Sequence, residues 1–91
     1  MNLSDELKNI SQDPKVIYPN IDAIMSNWTY INIFLQTKSI DKDGTLLFLK
    51  YELENKRRTS IIHRLFTRYI SFRKAEEWNH LLRSFGLERY A

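Results

Sequence analysis

Cysteine is absent from this chain, which excludes a disulfide framework and a thiolate metal site and points to a reducing, cytoplasmic setting. Glycine occurs only twice, leaving no glycine-rich phosphate loop and no nucleophile elbow, and a His-Glu-x-x-His zinc pattern is missing as well. No apolar run approaches the roughly 20 residues that a membrane span needs. Residues Met1 to Asn20 contain Asp5, Glu6, Lys8, Asp13 and Lys15, so they do not form the apolar core of a signal peptide. Repeats, low-complexity tracts and linkers are missing too. The 91 residues read as one small domain, 1–91, with no cofactor, no metal and no membrane partner expected. A chain of that length buries only about 60–65% of its unfolded surface, which leaves little room for a deep catalytic cleft.

What the chain does have is an uneven distribution of charge. Residues 1–54 carry five Lys against eight carboxylates, whereas 55–91 carry nine Lys and Arg against three. The overall charge of +3 therefore hides a basic stretch, Lys56, Arg57, Arg58, Arg64, Arg68, Arg73 and Lys74, with no Asp or Glu between Glu54 and Glu76. Such a run either faces water or meets something acidic. Hydrophobic content of 43% is too high for a disordered chain, so a packed core is expected.

Leu3, Leu7 and Ile10 recur at helical spacing and predict a short N-terminal helix closed by Asp13-Pro14. Pro19 marks an extended connector, after which Ile21, Ile24 and Met25 suit another turn or two of helix. From Trp28 the pattern changes: Thr29, Ile31, Ile33 and Leu35 alternate with Tyr30, Asn32 and Phe34, and Leu47, Leu49, Tyr51 and Leu53 repeat the alternation. Asp41-Lys42-Asp43-Gly44 between them suits a hairpin turn with Gly44 in the left-handed region, a register that sets Leu35 opposite Tyr51 and Ile33 opposite Leu53. The β-branched residues Thr59, Ile61, Ile62, Thr67 and Ile70 favour a third strand, although Ile61/Ile62, Leu65/Phe66 and Tyr69/Ile70 are also pairs spaced by four. The predicted fold is α+β: an N-terminal helix, a three-stranded antiparallel meander over 28–38, 45–54 and 59–71, and a C-terminal helix 72–86 packed on the sheet. Ser71 would cap that last helix, Trp78 would supply much of its contact, and Gly86 would end it. The alternative is that residues 59–86 are all helical.

Chemistry-bearing patterns are few. Ser39, Asp41, Asp43, Gly44 and Thr45 partly trace a calcium loop, but its last position is Lys50 where a bidentate Glu is required, so the plain turn is preferred. His63 and His80 are the two side chains suited to proton transfer near neutrality, and a His on an amphipathic element is more often a half-buried polar residue than a catalyst. Asn27-Trp28-Thr29 fits a glycosylation sequon and Arg57-Arg58-Thr59-Ser60 a basic-directed kinase pattern, both short enough to arise by chance.

Two functions compete. A small domain without a catalytic constellation reads first as a non-enzymatic protein-interaction module, an adaptor, assembly factor or inhibitor. It would bind an acidic partner, or self-associate, through an aromatic hairpin face of Trp28, Tyr30 and Phe34 and through an Arg-rich strand. The other reading is a protein that binds single-stranded RNA or DNA with the basic stretch 56–74, where Arg57, Arg58, Arg64, Arg68, Arg73 and Lys74 would meet phosphates. The two readings share the basic residues and differ in the partner.

Overall fold

Three Asx side chains punctuate the first half of the chain, and each starts a helix. A computed structural model describes residues 3–86. It contains α1 (Leu3–Lys8), α2 (Pro14–Ile17), α3 (Ile21–Ile24), α4 (Trp28–Thr37), α5 (Lys42–Glu54) and α6 (Thr59–Ser84). Asp13 accepts the Lys15 N–H at 3.0 Å with Pro14 at the first helical position of α2. Asn27, the sequon residue, accepts the Tyr30 N–H at 3.0 Å and opens α4. Asp41 accepts the Gly44 N–H at 2.9 Å and opens α5.

The meander expected over 28–38, 45–54 and 59–71 is absent, since no strand occurs among the described residues. Asp41-Lys42-Asp43-Gly44 is an N-cap and first helical turn, and Gly44 lies inside α5 rather than at a left-handed turn position. The alternative expected for residues 59–86 is the observed one: α6 runs unbroken from Thr59 to Ser84, and Gly86 follows it at φ +67°. Ser71 does not cap a helix; mid-way along α6, its hydroxyl donates to the Thr67 carbonyl at 3.0 Å.

Burial explains why α5 overrides the strand pattern. Gly44 to Leu49 are all buried, together with Tyr51 and Glu52, so α5 is the central helix, wrapped on nearly every side. α6 returns antiparallel along it: Glu52 meets Arg58 next to the connection, Thr45 meets Arg68, and Lys42 meets Glu76 farther along. Ile61, Leu65 and Tyr69 of α6 are buried against this core, as are Ile31 and Leu35 of α4 and Ile21 and Met25 of the short turns before it. Tyr18 completes an aromatic cluster, its ring 4.9 Å from Phe48 and 6.0 Å from Phe34, which fastens the connector before α3 to both α4 and α5. Burial, with the Asp22 carboxylate that accepts its hydrogen bond, pushes the Tyr51 phenol up to about 12.

The second half of α6 leaves the core. Continuing the buried Leu65 and Tyr69 and the half-buried Phe72 by helical steps reaches Glu76, Asn79 and Arg83, which are exposed. The apolar residues Trp78, Leu81 and Phe85 lie on a different face and remain 52%, 45% and 71% exposed, so Trp78 is not the packed anchor that the sequence suggested. Leu82 alone is buried in this half.

Gly44 marks the tightest approach in the fold. A Cβ placed there would come within 2.5 Å of Ile40 Cγ2 and 2.9 Å of the Tyr18 hydroxyl. Gly44→Ala is expected to lose about 1–3 kcal/mol despite the better helix propensity of Ala. A thermal melt would show this as a midpoint lower by several degrees; an unchanged or raised midpoint would mean that the Tyr18 to Ile40 packing gives way freely.

Candidate functional site

Of the six basic residues expected to form one surface, three are tied into the protein itself. Arg58 donates to Glu52, which is 0% exposed, with Nη2 2.6 Å from Oε1. The same guanidinium donates to the Met25 and Ser26 carbonyls at 2.6 and 3.1 Å. It closes the connection between α5 and α6 over the turn that precedes α4. Arg68 donates to the Ile40 carbonyl at 2.8 Å and to Thr45 Oγ1 at 3.2 Å, which holds the loop after α4 against α5. Arg73 reaches Glu6 of α1 at 3.0 Å and the Tyr69 hydroxyl at 3.0 Å, while Tyr69 itself donates to Glu6. These guanidinium groups act as clamps between elements.

The others face solvent. Arg57 is exposed at φ +54°, its N–H donating to the Glu52 carbonyl at 2.8 Å to terminate α5. Arg64 and Lys74 lie exposed on α6, and neither takes part in an ion pair among the described residues. The Arg64 guanidinium sits over the Trp28 ring, 5.0 Å from its centre.

That contact bridges a groove of about 700 Å³ between α4 and α6. Trp28 and Asn32 form the α4 wall with Leu35 at the base, and His63, Arg64, Thr67, Ser71 and Ala75 form the α6 wall, with Arg68 and Phe72 below. Two arginines and a histidine line this groove, and no carboxylate does. The Thr67 and Ser71 hydroxyls donate to carbonyls one turn back, so what they offer the groove is acceptor oxygens. Asn32 Oδ1 accepts from Gln36 at 3.1 Å, which leaves its amide N–H₂ as a donor. The charge available there is positive, flanked by the faces of Trp28 and Phe72.

The three aromatic residues expected on one face are separated. Trp28 belongs to the groove, whereas Tyr30 lies on the other flank of α4 beside Ile33, on a shallow apolar surface of about 500 Å³. Phe34 is partly buried in the cluster with Tyr18 and Phe48. His63 and His80 both lie on α6, separated by about 25 Å of helix, too far to act as a pair. Asp41 of the calcium-like loop is engaged as a cap, and no cluster of three or more His, Asp or Glu able to hold a metal occurs among the described residues. Arg58 of the kinase-like pattern is held by Glu52.

Sequence reasoning missed the groove because Asn32, His63, Thr67 and Ser71 converge only when both segments are helical. The signal was present in the spacing of Trp28, Asn32 and Leu35, and of His63, Thr67 and Ser71, each placing its residues on one helical face. The division of the arginines has a direct test in urea denaturation. Arg68→Ala is expected to lose about 1–3 kcal/mol by removing the donors to the Ile40 carbonyl and Thr45 Oγ1, whereas Arg64→Ala stays within about 0.5 kcal/mol of the parent. Equal losses would contradict the assignment. No helix among the described residues is long and apolar enough to cross a membrane. No protein-family model matches the chain, and comparison with curated proteins and with solved structures finds no match.

Proposed function

We propose that this chain is a non-enzymatic interaction module, an adaptor, assembly factor or inhibitor, that receives an acidic protein surface in the groove between α4 and α6. The observation that carries this reading is a groove lined by the exposed Arg64 and His63, beside the internally bonded Arg68, with no carboxylate in its lining. Trp28 adds a broad ring at the rim, the kind of side chain that anchors interfaces, and the exposed Arg64 guanidinium over it is placed to meet an incoming carboxylate. The separation of the two histidines and the openness of the groove to water favour binding over catalysis.

The same geometry weighs against single-stranded nucleic acid. Arg58, Arg68 and Arg73 spend most of their donors on Glu52, Glu6 and backbone carbonyls, and the exposed remainder of stretch 56–74 is split between the Lys56-Arg57 turn and α6. A strand of phosphates draws its affinity from many such contacts at once. Tyr30 and Phe34 do not share a face with the free cations, so a base-stacking platform is not formed by these aromatics.

Affinity capture from the source cells, with an Arg64→Glu chain as control and nuclease in one arm, tests the reading. A stoichiometric protein partner that survives nuclease and disappears with Arg64→Glu is expected, with the variant melting within a few degrees of the parent. Capture that nuclease abolishes would transfer the surface to nucleic acid.

A further inference from the structure

We infer that the outward face of α6 is a seam for one acidic, amphipathic helix of a partner protein, an inference that rests on the interaction reading above. Ser60, Arg64, Thr67, Ser71 and Lys74 follow one another at alternating steps of four and three residues, and all are exposed. Trp78, Leu81 and Phe85 continue the same alternation without a break and are exposed too. This is the spacing at which a second helix interlocks with the first along a nearly parallel seam. On the core side of that seam, α4 supplies a wall through Trp28 and Asn32, so an incoming helix would contact two elements along the first half of α6 and α6 alone along the second.

The seam dictates the chemistry of its occupant. Its first half is polar and basic: Arg64 and Lys74 lie on it, His63 flanks it, and residues 59–75 of α6 contain no carboxylate. Its second half is apolar, with two large aromatic side chains and a leucine in water at a cost that a partner removes. A complementary helix is therefore acidic along one half and carries large apolar residues at three- and four-residue steps along the other. Arg64 to Phe85 spans about 31 Å, which a partner helix of roughly 20 residues covers. The chain already shows one instance of this recognition: acidic α1 lies against another face of α6, with Glu6 gripped by Arg73 and Tyr69.

A second copy of the chain does not fit the full seam. Parallel pairing of two α6 helices sets Arg64 against Arg64 and Lys74 against Lys74, and antiparallel pairing over the whole length opposes the basic half to the aromatic half. Parallel pairing costs like-charge repulsion along the seam, and antiparallel pairing, which lets Arg64 face the Phe85 ring, brings the two Lys74 side chains together at its centre.

Selection of a displayed library of random 20-residue peptides against the intact chain decides the matter. Enriched peptides are expected to be acidic in one half, to repeat Leu, Ile, Phe or Trp at three- and four-residue steps in the other, and to gain helical circular dichroism on binding. Both Arg64→Glu with Lys74→Glu and Trp78→Ala with Phe85→Ala should weaken them by at least about tenfold while leaving the thermal midpoint unchanged. Acidic peptides that bind without periodicity or helicity gain would overturn the helical seam and leave the acidic-partner reading standing. Enrichment of neutral or basic peptides, or no binding up to about 1 mM, would overturn both. A Trp78-dependent dimer of the chain that excludes every peptide would replace the partner by a second copy, contrary to the inference.

Discussion

The fold depends on one ion pair, between Glu52 and Arg58. Glu52 is 0% exposed near the end of the most buried helix, and a carboxylate in that position is tolerated only if its charge is answered where it lies. Arg58 answers it from the last residue before α6, and with its remaining donors it fastens the Met25 and Ser26 carbonyls. A single guanidinium thus ties the end of α5, the start of α6 and the entry to α4. In a 91-residue chain with no disulfide, where the apolar core alone contributes a narrow margin, the hinge of the α5 and α6 hairpin is fixed by this contact.

The basic stretch performs two tasks that its sequence does not distinguish. Arg58, Arg68 and Arg73 face inward or sideways and hold α3, α5 and α1 to α6, using planar multi-donor geometry that a lysine would not reproduce. Arg64 lies exposed on the groove flank of the same helix and Lys74 on its outward side, and neither takes part in an ion pair among the described residues. Spacing separates the groups: 58, 65, 68, 69 and 72 track the core, while 60, 64, 67, 71 and 74 track the solvent. The excess positive charge of the second half is thus partly internal glue and partly surface.

The N-terminal helix, the all-helical alternative for 59–86 and the closing Gly86 were readable from apolar spacing and from glycine's backbone freedom. The strands were not there to be read. In α5 nearly every position from Gly44 to Glu52 is buried, so the residues match a period of two as well as a period of 3.6 and carry no information about which applies. In α4 the β-branched and aromatic residues invited a strand, yet Ile31 and Leu35 bury on one helical face with Trp28 partly buried beside them, outweighing propensity differences of a few tenths of a kcal/mol each. Asp41 and Gly44 suit both a hairpin turn and a helix start, and the close approach of Ile40 and Tyr18 to Gly44 selects the second. Of the candidate site, Trp28, Arg64 and Arg68 converge as neighbours of one groove, while Tyr30 and Phe34 do not, because alternation assigned them to a face that a helix divides.

A double-mutant cycle on Arg58 and Glu52, read by urea denaturation, tests the account most directly. Arg58→Met alone strands a buried carboxylate and is predicted to lose about 3–5 kcal/mol, enough to threaten folding of a domain this small. Adding Glu52→Leu to it should recover a large part of that loss, giving a coupling of at least about 2 kcal/mol. Losses that simply add, or an Arg58→Met chain as stable as the parent, would contradict the claim that this pair holds the hairpin together.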